Sequence, residues 1–288
     1  MMNPKIVLIT GTNSGFGWLT ARSVAALGHK VYATMRETTG KNADQAHALS
    51  QVENITVLDV TLTDETSIKT AIDTIIATEG TIDVLVNNAA HTIMGVAESC
   101  TPADVQRMFD VNVVAPWRLM KQVLPYMRKQ SEGLIVNVSS GFGRFGFPFS
   151  AVYSASKFGL EGLSEGLHYE LRPLGVDVAI LEPGSFPTEM SQKVQSGSDA
   201  SILEGYQAID HIPNKIFSAI GRMFETVKPN PQEVADAVVN LIRLPQGQRP
   251  LRTVVDPTTG QLVKAANEAV QAEYTKGLAA FGIEELSA

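Results

Sequence analysis

The chain has one cysteine, Cys100, among its 288 residues. No internal disulfide can form, and a cysteine-based metal cluster is excluded. Nothing near Cys100 in sequence supports a nucleophilic role, so an inert thiol is the favoured reading. Long apolar runs are missing too. None reaches membrane-spanning length, and the stretch from Ile6 to Ile9, after Met1, Met2, Asn3, Pro4 and Lys5, is too short for a signal peptide. The expected location is the cytoplasm, with no membrane partner. A net charge of −7 and a pI near 5.3 argue against a nucleic-acid binder, which would show a basic stripe. The five histidines have no metal-ligand spacing, so no metal is expected. There is no Ser/Gly linker, repeat or low-complexity block. With 44% hydrophobic and 18% charged residues, one domain over 1–288 is expected, with a lid at 190–228 and a C-terminal extension at 256–288.

What is present is an alternation. Short β-branched runs recur at Ile6 to Thr10, Lys30 to Thr34, Ile55 to Leu58, Val84 to Asn87, Leu134 to Val138, Val176 to Leu181 and Leu251 to Val255. Helical periodicity fills the intervals, clearest at Ile68, Ile72, Ile75 and Ile76, where Asp64 can cap the start and Gly80 the stop. Thr101-Pro102 and Asn230-Pro231 each set a capping residue before a proline at the first helical position. The predicted fold class is α/β: a doubly wound parallel sheet of about seven strands with helices on both faces. Ligands bind such sheets at the carboxyl ends of the strands.

Directly after the first strand come Gly11, Thr12, Asn13, Ser14, Gly15, Phe16 and Gly17, and then a helix through Trp18, Leu19, Ala21 and Val24. Glycines allow a tight turn and let a phosphate approach a helix N-terminus, where free N–H groups and the helix dipole favour anions. Strand, turn and helix together predict a dinucleotide site; a glycine-rich turn without ligand is the alternative. NAD sites place Asp or Glu after the second strand, whereas NADP needs a cation. Here the segment runs Val31, Tyr32, Ala33, Thr34, Met35, Arg36 with no carboxylate before Arg36. NADP(H) is therefore preferred, with NAD(H) possible because Glu37 follows. Asp59, ending the third strand, can meet the adenine together with Val60, or can cap a turn.

Tyr153 and Lys157 stand four residues apart, one turn along the same helical face. A free tyrosine titrates near ~10, and a charge about 4 Å away is worth roughly 1 kcal/mol in water but roughly 4 kcal/mol at an effective dielectric of about 20. A sheltered pair can therefore favour the phenolate and serve as a proton donor and acceptor. A second positive charge, such as an oxidised nicotinamide, would help.

Taken in order, Thr10-Gly11-x-x-x-Gly15-x-Gly17, Asn87-Asn88-Ala89-Ala90, Asn112, Ser140, Tyr153-x-x-x-Lys157 and Pro183-Gly184 resemble the short-chain dehydrogenase/reductase superfamily over residues 5 to about 190. The segment from Val31 to Arg36 and the long tail resemble its hydroxysteroid and retinol dehydrogenase-like branch and related bacterial carbonyl reductases. The resemblance implies a Rossmann-type fold and an oxidoreductase moving hydride between NADP(H) and a carbonyl or secondary alcohol. It implies that Tyr153 exchanges a proton with the substrate oxygen and that Ser140 hydrogen-bonds that oxygen. It further implies that Lys157 depresses the Tyr153 pKa and holds the nicotinamide ribose, and that Asn112 orders a water linking Lys157 to solvent. Gly11, Asn13, Ser14, Gly15, Phe16, Gly17, Arg36, Asp59, Val60, Asn88, Ala89, Pro183, Gly184 and Thr188 would contact the cofactor. Each residue has a structural reading as well: Ser139 and Ser140 can finish a strand, Asn112 can cap or bend a helix, and Pro183-Gly184 can be only a turn. Ala90 departs from the family's usual glycine, which requires either ordinary backbone angles there or a shifted loop.

The segment Phe142, Gly143, Arg144, Phe145, Gly146, Phe147, Pro148, Phe149 is dense in aromatics for a loop. An apolar wall for a hydrophobic ketone or alcohol and plain core or subunit packing are both open. Met94, Phe186 and Met190 are further pocket candidates, and His91 is near the expected mouth. The Tyr153 helix carries Gly159, Gly162 and Gly166, which at roughly 1 kcal/mol each relative to alanine suggest close approach by another backbone. The family resemblance makes that a homodimer or homotetramer face. A catalytically silent NADP-binding regulator and an acyl-thioester ketoreductase are the alternatives in function.

Overall fold

The computed structural model describes residues 3–189 and 194–287. Seven strands form one parallel sheet in the order β3-β2-β1-β4-β5-β6-β7: β1 Ile6–Thr10, β2 Lys30–Met35, β3 Ile55–Asp59, β4 Val84–Asn87, β5 Gly133–Val138, β6 Val176–Pro183 and β7 Arg252–Val255. Each predicted run is a strand, two of them with the expected ends and the rest with an end moved by one or two residues. The helices are α1 Gly15–Ala25, α2 Ala43–Ser50, α3 Glu65–Glu79, α4 Pro102–Phe109, α5 Ala115–Gln130, α6 Ala151–Leu171, α7 Ile212–Val227, α8 Gln232–Arg243 and α9 Gly260–Phe281.

Strand alternation builds two cores. Val7, Ile9, Val84, Val86, Leu134, Val136, Ala179 and Leu181 face one way and pack under α1, α2 and α8. Their neighbours Ile6, Leu8, Leu85, Ile135, Val176 and Val178 face the other way, under α3, α5 and the end of α6. Continuous apolar strands are what a sheet covered on both faces requires.

The caps follow local chemistry. Asp64 accepts from the Thr66 amide at 2.9 Å, and Gly80 closes α3 in the left-handed region at φ 79°. Thr101 and Asp104 make a reciprocal capping box at the start of α4. Asn230 caps α8 through the Gln232 amide, so that helix begins one residue after Pro231 instead of at it. Asp104 also reaches beyond its own helix, because it is buried and accepts from the Ser198 amide at 3.0 Å and the Ser198 hydroxyl at 2.7 Å. The expected lid segment is thereby rooted to α4. It continues through a 3-10 stretch, Ala200–Ile209, into α7. Among the described residues no helix is long and apolar enough to cross a membrane.

At the opposite end of the sheet Arg249 and Asp177 form a buried ion pair at 2.7 Å, and Asp177 also accepts from the Gly247 amide. Removing one partner strands a buried charge. We expect Asp177→Ala to lower the unfolding free energy by about 3 kcal/mol or more in urea titrations, and an unchanged midpoint would contradict this.

Candidate active site

Strand order reverses between β1 and β4, so the loops leaving them run apart and open a crevice at the carboxyl edge. A cavity of about 1380 Å³ occupies it, bordered by the loops that follow β1 through β6. That exceeds the roughly 300–1,000 Å³ of ordinary single-ligand pockets.

The turn after β1 forms one end. Gly11 has φ 69°, and a Cβ there would lie 2.8 Å from the Ala89 Cα. Gly17 is not in the lining; a Cβ on it would sit 2.3 Å from the Gly11 carbonyl oxygen, so its place is to seat α1 against the turn. Asn13, Ser14, Gly15 and Phe16 line the cavity, and the first turn of α1 carries no acidic residue. This cradle fits a diphosphate: a glycine turn and the positive end of a helix whose first turn holds no acidic residue border the space. Thr10 Oγ1 accepts from the amides of Asn88 and Ala89, while Asn88 Nδ2 donates to the Thr10 carbonyl at 2.8 Å. Thr10 thus joins the two diverging loops. Ala90 keeps a negative φ, the first of the two outcomes the sequence left open.

Beyond β2, Arg36, Lys41 and Asn42 all line the cavity. Asn42 Nδ2 donates to the Arg36 carbonyl at 2.8 Å, and Asn13 Nδ2 donates to Asn42 Oδ1 at 3.2 Å. Nothing in the sequence singles out Lys41; it lies five residues past Arg36, and only the turn at Glu37, φ 55°, returns it to the same rim. Val60 lines the cavity, but Asp59 does not. Both Asp59 oxygens are engaged by the Glu37 and Thr38 amides and the Thr38 hydroxyl. These bonds hold the carboxyl below its usual range, the Thr38 amide contributing most. Of the two roles expected for Asp59, the bonds present are those of a cap on the turn that carries Arg36.

The deep end holds Tyr153 and Lys157 on α6, with Ser140 at the close of β5. Lys157 is 1% exposed, and its Nζ donates to the Val138 carbonyl at 2.8 Å. That bond spans from helix to strand and fixes α6 over β5. The Ser140 hydroxyl is near enough to the Tyr153 phenol to favour its anion. Ser140 Oγ also accepts from the Phe142 amide at 3.2 Å. Burial pushes Tyr153 up to about 12, with the Ser140 hydroxyl pulling the other way. Burial likewise pushes Lys157 down to about 8, opposed by Glu161. The expected depression of Tyr153 by Lys157 is therefore absent in the free chain. The ammonium is committed to Val138 and lies 5.8 Å from the Tyr153 ring centroid, so desolvation of the phenolate wins.

Asn112 lies in a π-helical turn, Asp110–Val114, between α4 and α5. The extra residue turns its side chain inward and buries it. Oδ1 accepts from the His91 amide at 2.7 Å, and Nδ2 donates to the His91 carbonyl and to Ser156 Oγ, both at 2.9 Å. Asn112 does not line the cavity; it bends the helix and clamps the loop after β4 to α6. Ser156, which receives that bond, escapes sequence reasoning because nothing in the chain pairs it with a residue 44 positions earlier.

Phe142, Phe145 and Phe147 form one wall. Phe142 stacks on Phe147 at 4.5 Å and meets Tyr153 edge-on at 6.5 Å. Met94, Phe186 and, from α7, Phe217, Ile220 and Phe224 also line the cavity, Phe186 meeting Phe16 edge-on at 5.5 Å. Met190 lies outside the described residues. His91 borders the cavity and is held below its usual pKa by burial, then by Arg107 and Arg36. Pro183, Gly184 and Thr188 line the side between the glycine turn and α7.

The buried lysine has a thermodynamic signature. Its folded pKa of about 8 lies below the unfolded 10.5, so the native state binds fewer protons between those values and unfolding free energy rises with pH across that window. At about 1.4 kcal/mol per unit the rise is about 3 kcal/mol. Urea unfolding from pH 7 to 11 should show it in the wild type minus Lys157→Met difference; a flat difference would show that Lys157 is not desolvated.

A family model described as short chain dehydrogenase matches residues 5–199. The chain is 39% identical over 187 residues to a 3-ketodihydrosphingosine reductase of Bacteroides thetaiotaomicron, a match spanning 65% of this chain and 66% of that one. It is 35% identical over 247 residues to human retinol dehydrogenase 8, covering 83% and 78% of the two chains. A metagenomic short-chain oxidoreductase solved in complex with NADP superposes with a TM-score of 0.68 at 26% identity, over 88% of this chain and 97% of that one. Sheet order, crevice and matched span agree, and the chain belongs to the short-chain dehydrogenase family of oxidoreductases.

Proposed function

We propose that this enzyme transfers hydride between NADP(H) and the carbonyl or secondary alcohol carbon of an apolar small molecule. The observation that carries the reading is the convergence of Ser140, Tyr153 and buried Lys157 at the aromatic end of a cavity whose other end is a phosphate cradle. When bound, the nicotinamide supplies or accepts the hydride. Tyr153, protonated in the free enzyme, gives its proton to a substrate oxygen during reduction and recovers one during oxidation. The Ser140 hydroxyl stabilises the charge that develops on that oxygen. Lys157, carried on the same helix one turn away, places a positive charge behind the phenol. Asn112 keeps α6 and the loop after β4 in register, so the reacting groups share one geometry.

Coenzyme choice rests on the rim beyond β2, where Arg36 and Lys41 offer two cations and the Asp59 carboxylate is turned into backbone capping. A 2′-phosphate fits that charge. The NADP complex of the metagenomic relative supports it. Apolar substrate preference rests on the stacked Phe142 and Phe147 and on the α7 side chains that line the same cavity. The retinol and ketodihydrosphingosine relatives are named for substrates of that character. For the expected homodimer or homotetramer, the outer face of α6 is the natural contact: nothing lies within 4 Å of a Cβ at Gly162 or Gly166, and Phe158 beside them is 44% exposed.

Tyr153→Phe should cut turnover of an aromatic or long-chain ketone panel by about a thousand-fold or more while NADPH affinity stays within a few-fold. Retained turnover refutes the proton-transfer role, and wild-type protein that binds NADPH without oxidising it across the panel refutes the enzyme reading. Arg36→Ala should weaken NADPH by about ten- to hundred-fold in fluorescence titration and NADH far less. Equal losses would remove the phosphate assignment.

A further inference from the structure

Behind Lys157, away from the cavity, the protein buries a second set of ionisable groups that the reaction above does not use. Glu161 follows Lys157 by one helical turn and is 2% exposed; Glu182, on β6, is fully buried. Arg252 of β7 lies between them. Its Nε donates to Glu161 Oε2 at 3.0 Å and stands 3.8 Å from Glu182 Oε1, while its Nη2 donates to Glu165 at 2.7 Å. Asn267 of α9 donates to Glu182 Oε2 at 2.6 Å. From the loop after β5, Arg144 adds a positive charge and the Ser139 hydroxyl a polar contact to the Glu161 carboxyl. One chain of groups therefore runs from α6 through the sheet to the C-terminal helix.

Glu161 and Glu182 both stand within ion-pair distance of the Arg252 guanidinium and repel each other. Arg252 serves three carboxylates, and Glu165 is the most exposed of them. Two buried carboxylates sharing one guanidinium resolve this by keeping a proton on one. Glu182 is the one that holds it: the Arg252 Nε bonds Glu161 at 3.0 Å but stands 3.8 Å from Glu182, and burial and the neighbouring Glu161 both raise the Glu182 carboxyl. Glu161 is also raised by burial, but Ser139, Arg252 and Arg144 act in the opposite sense and favour its anion.

We propose that Glu161 is a positioning residue whose buried carboxylate keeps Lys157 charged, and that Glu182 is the neutral acid completing the cluster. This rests on the assignment of Lys157 to the catalytic set. Removing the Glu161 charge leaves the Lys157 ammonium in the same low-dielectric site with less to offset its desolvation, so Lys157 should release its proton at lower pH. Among the described residues the charged groups of the cluster are Glu161 and Glu165 on α6, Glu182 on β6, Arg252 on β7 and Arg144 on the loop.

The test is a pH titration of the Lys157 13Cε resonance in the cofactor-free protein, assigned with Lys157→Met, alongside the pH profile of kcat in the active enzyme. Glu161→Gln should move the lysine midpoint down by about one unit or more and bring the alkaline limb of kcat down with it. Glu161→Asp, which keeps the charge, should restore most of the shift. Glu182→Gln copies the neutral acid and should leave the midpoint in place. An unmoved lysine in Glu161→Gln, or an equal shift in Glu182→Gln, overturns the proposal. If Glu161→Gln does not fold, Glu161→Asp and Glu182→Gln still decide it, because a large shift in either contradicts the assigned charges. The resonance reports on the cluster even in protein without turnover, which separates failure here from failure of the proposed reaction.

Discussion

A buried ammonium held against a strand carbonyl is the constraint around which the active end of this protein is arranged. The bond from Lys157 to Val138 ties α6 to β5 at the point where Ser140 leaves the sheet. Because Tyr153 is one helical turn away, the same bond sets the phenol beside Ser140 and under Phe142. A desolvated cation is costly, and its position is tolerable only with polar support on more than one side. That support comes from a backbone carbonyl in front and a carboxylate-bearing cluster behind. Catalytic placement and fold stability therefore pull against each other at one residue.

The two ends of the cavity obey different physics. At the glycine turn, recognition is a matter of backbone: close approach of α1, Asn88 and Ala89 leaves N–H groups and a helix end aimed at empty space. At the aromatic end it is a matter of surface: stacked rings and α7 side chains offer little directional bonding, and shape decides what fits. Thr10 and Asn112 join these regimes, since each bonds the loop after β4, one from the nucleotide side and one from the catalytic helix. The loop carrying Asn88 to His91 is thereby fixed at both ends.

Much of this was legible in the chain itself. Seven apolar runs, two clear helix caps and the order of the glycine turn, Ser140, Tyr153 and Lys157 led to the sheet and to the cavity that the structure displays. What was not legible depends on contacts between distant segments. Asp59 could cap a turn or face a ligand, and only the path of residues 36–38 turns its oxygens to backbone amides. Lys41 joins Arg36 through a left-handed turn at Glu37. The π turn that buries Asn112 carries no sequence signature, and the Tyr153 pKa depends on burial and on where the lysine proton is spent.

Asp104 serves two structures with one carboxylate, capping α4 and anchoring Ser198. The chain between Ser198 and α8 is thus rooted at its near end by a group that the helix needs for its own start. Residues 199–228 form a cassette that is also tied to the turn before α4, the Asp199 amide donating to the Ser99 carbonyl and the Tyr206 hydroxyl to Glu98. A graft that exchanges this cassette and keeps Asp104 with Ser198 would recut the aromatic chamber without loosening α4, whereas one that crosses Ser198 would unsettle both.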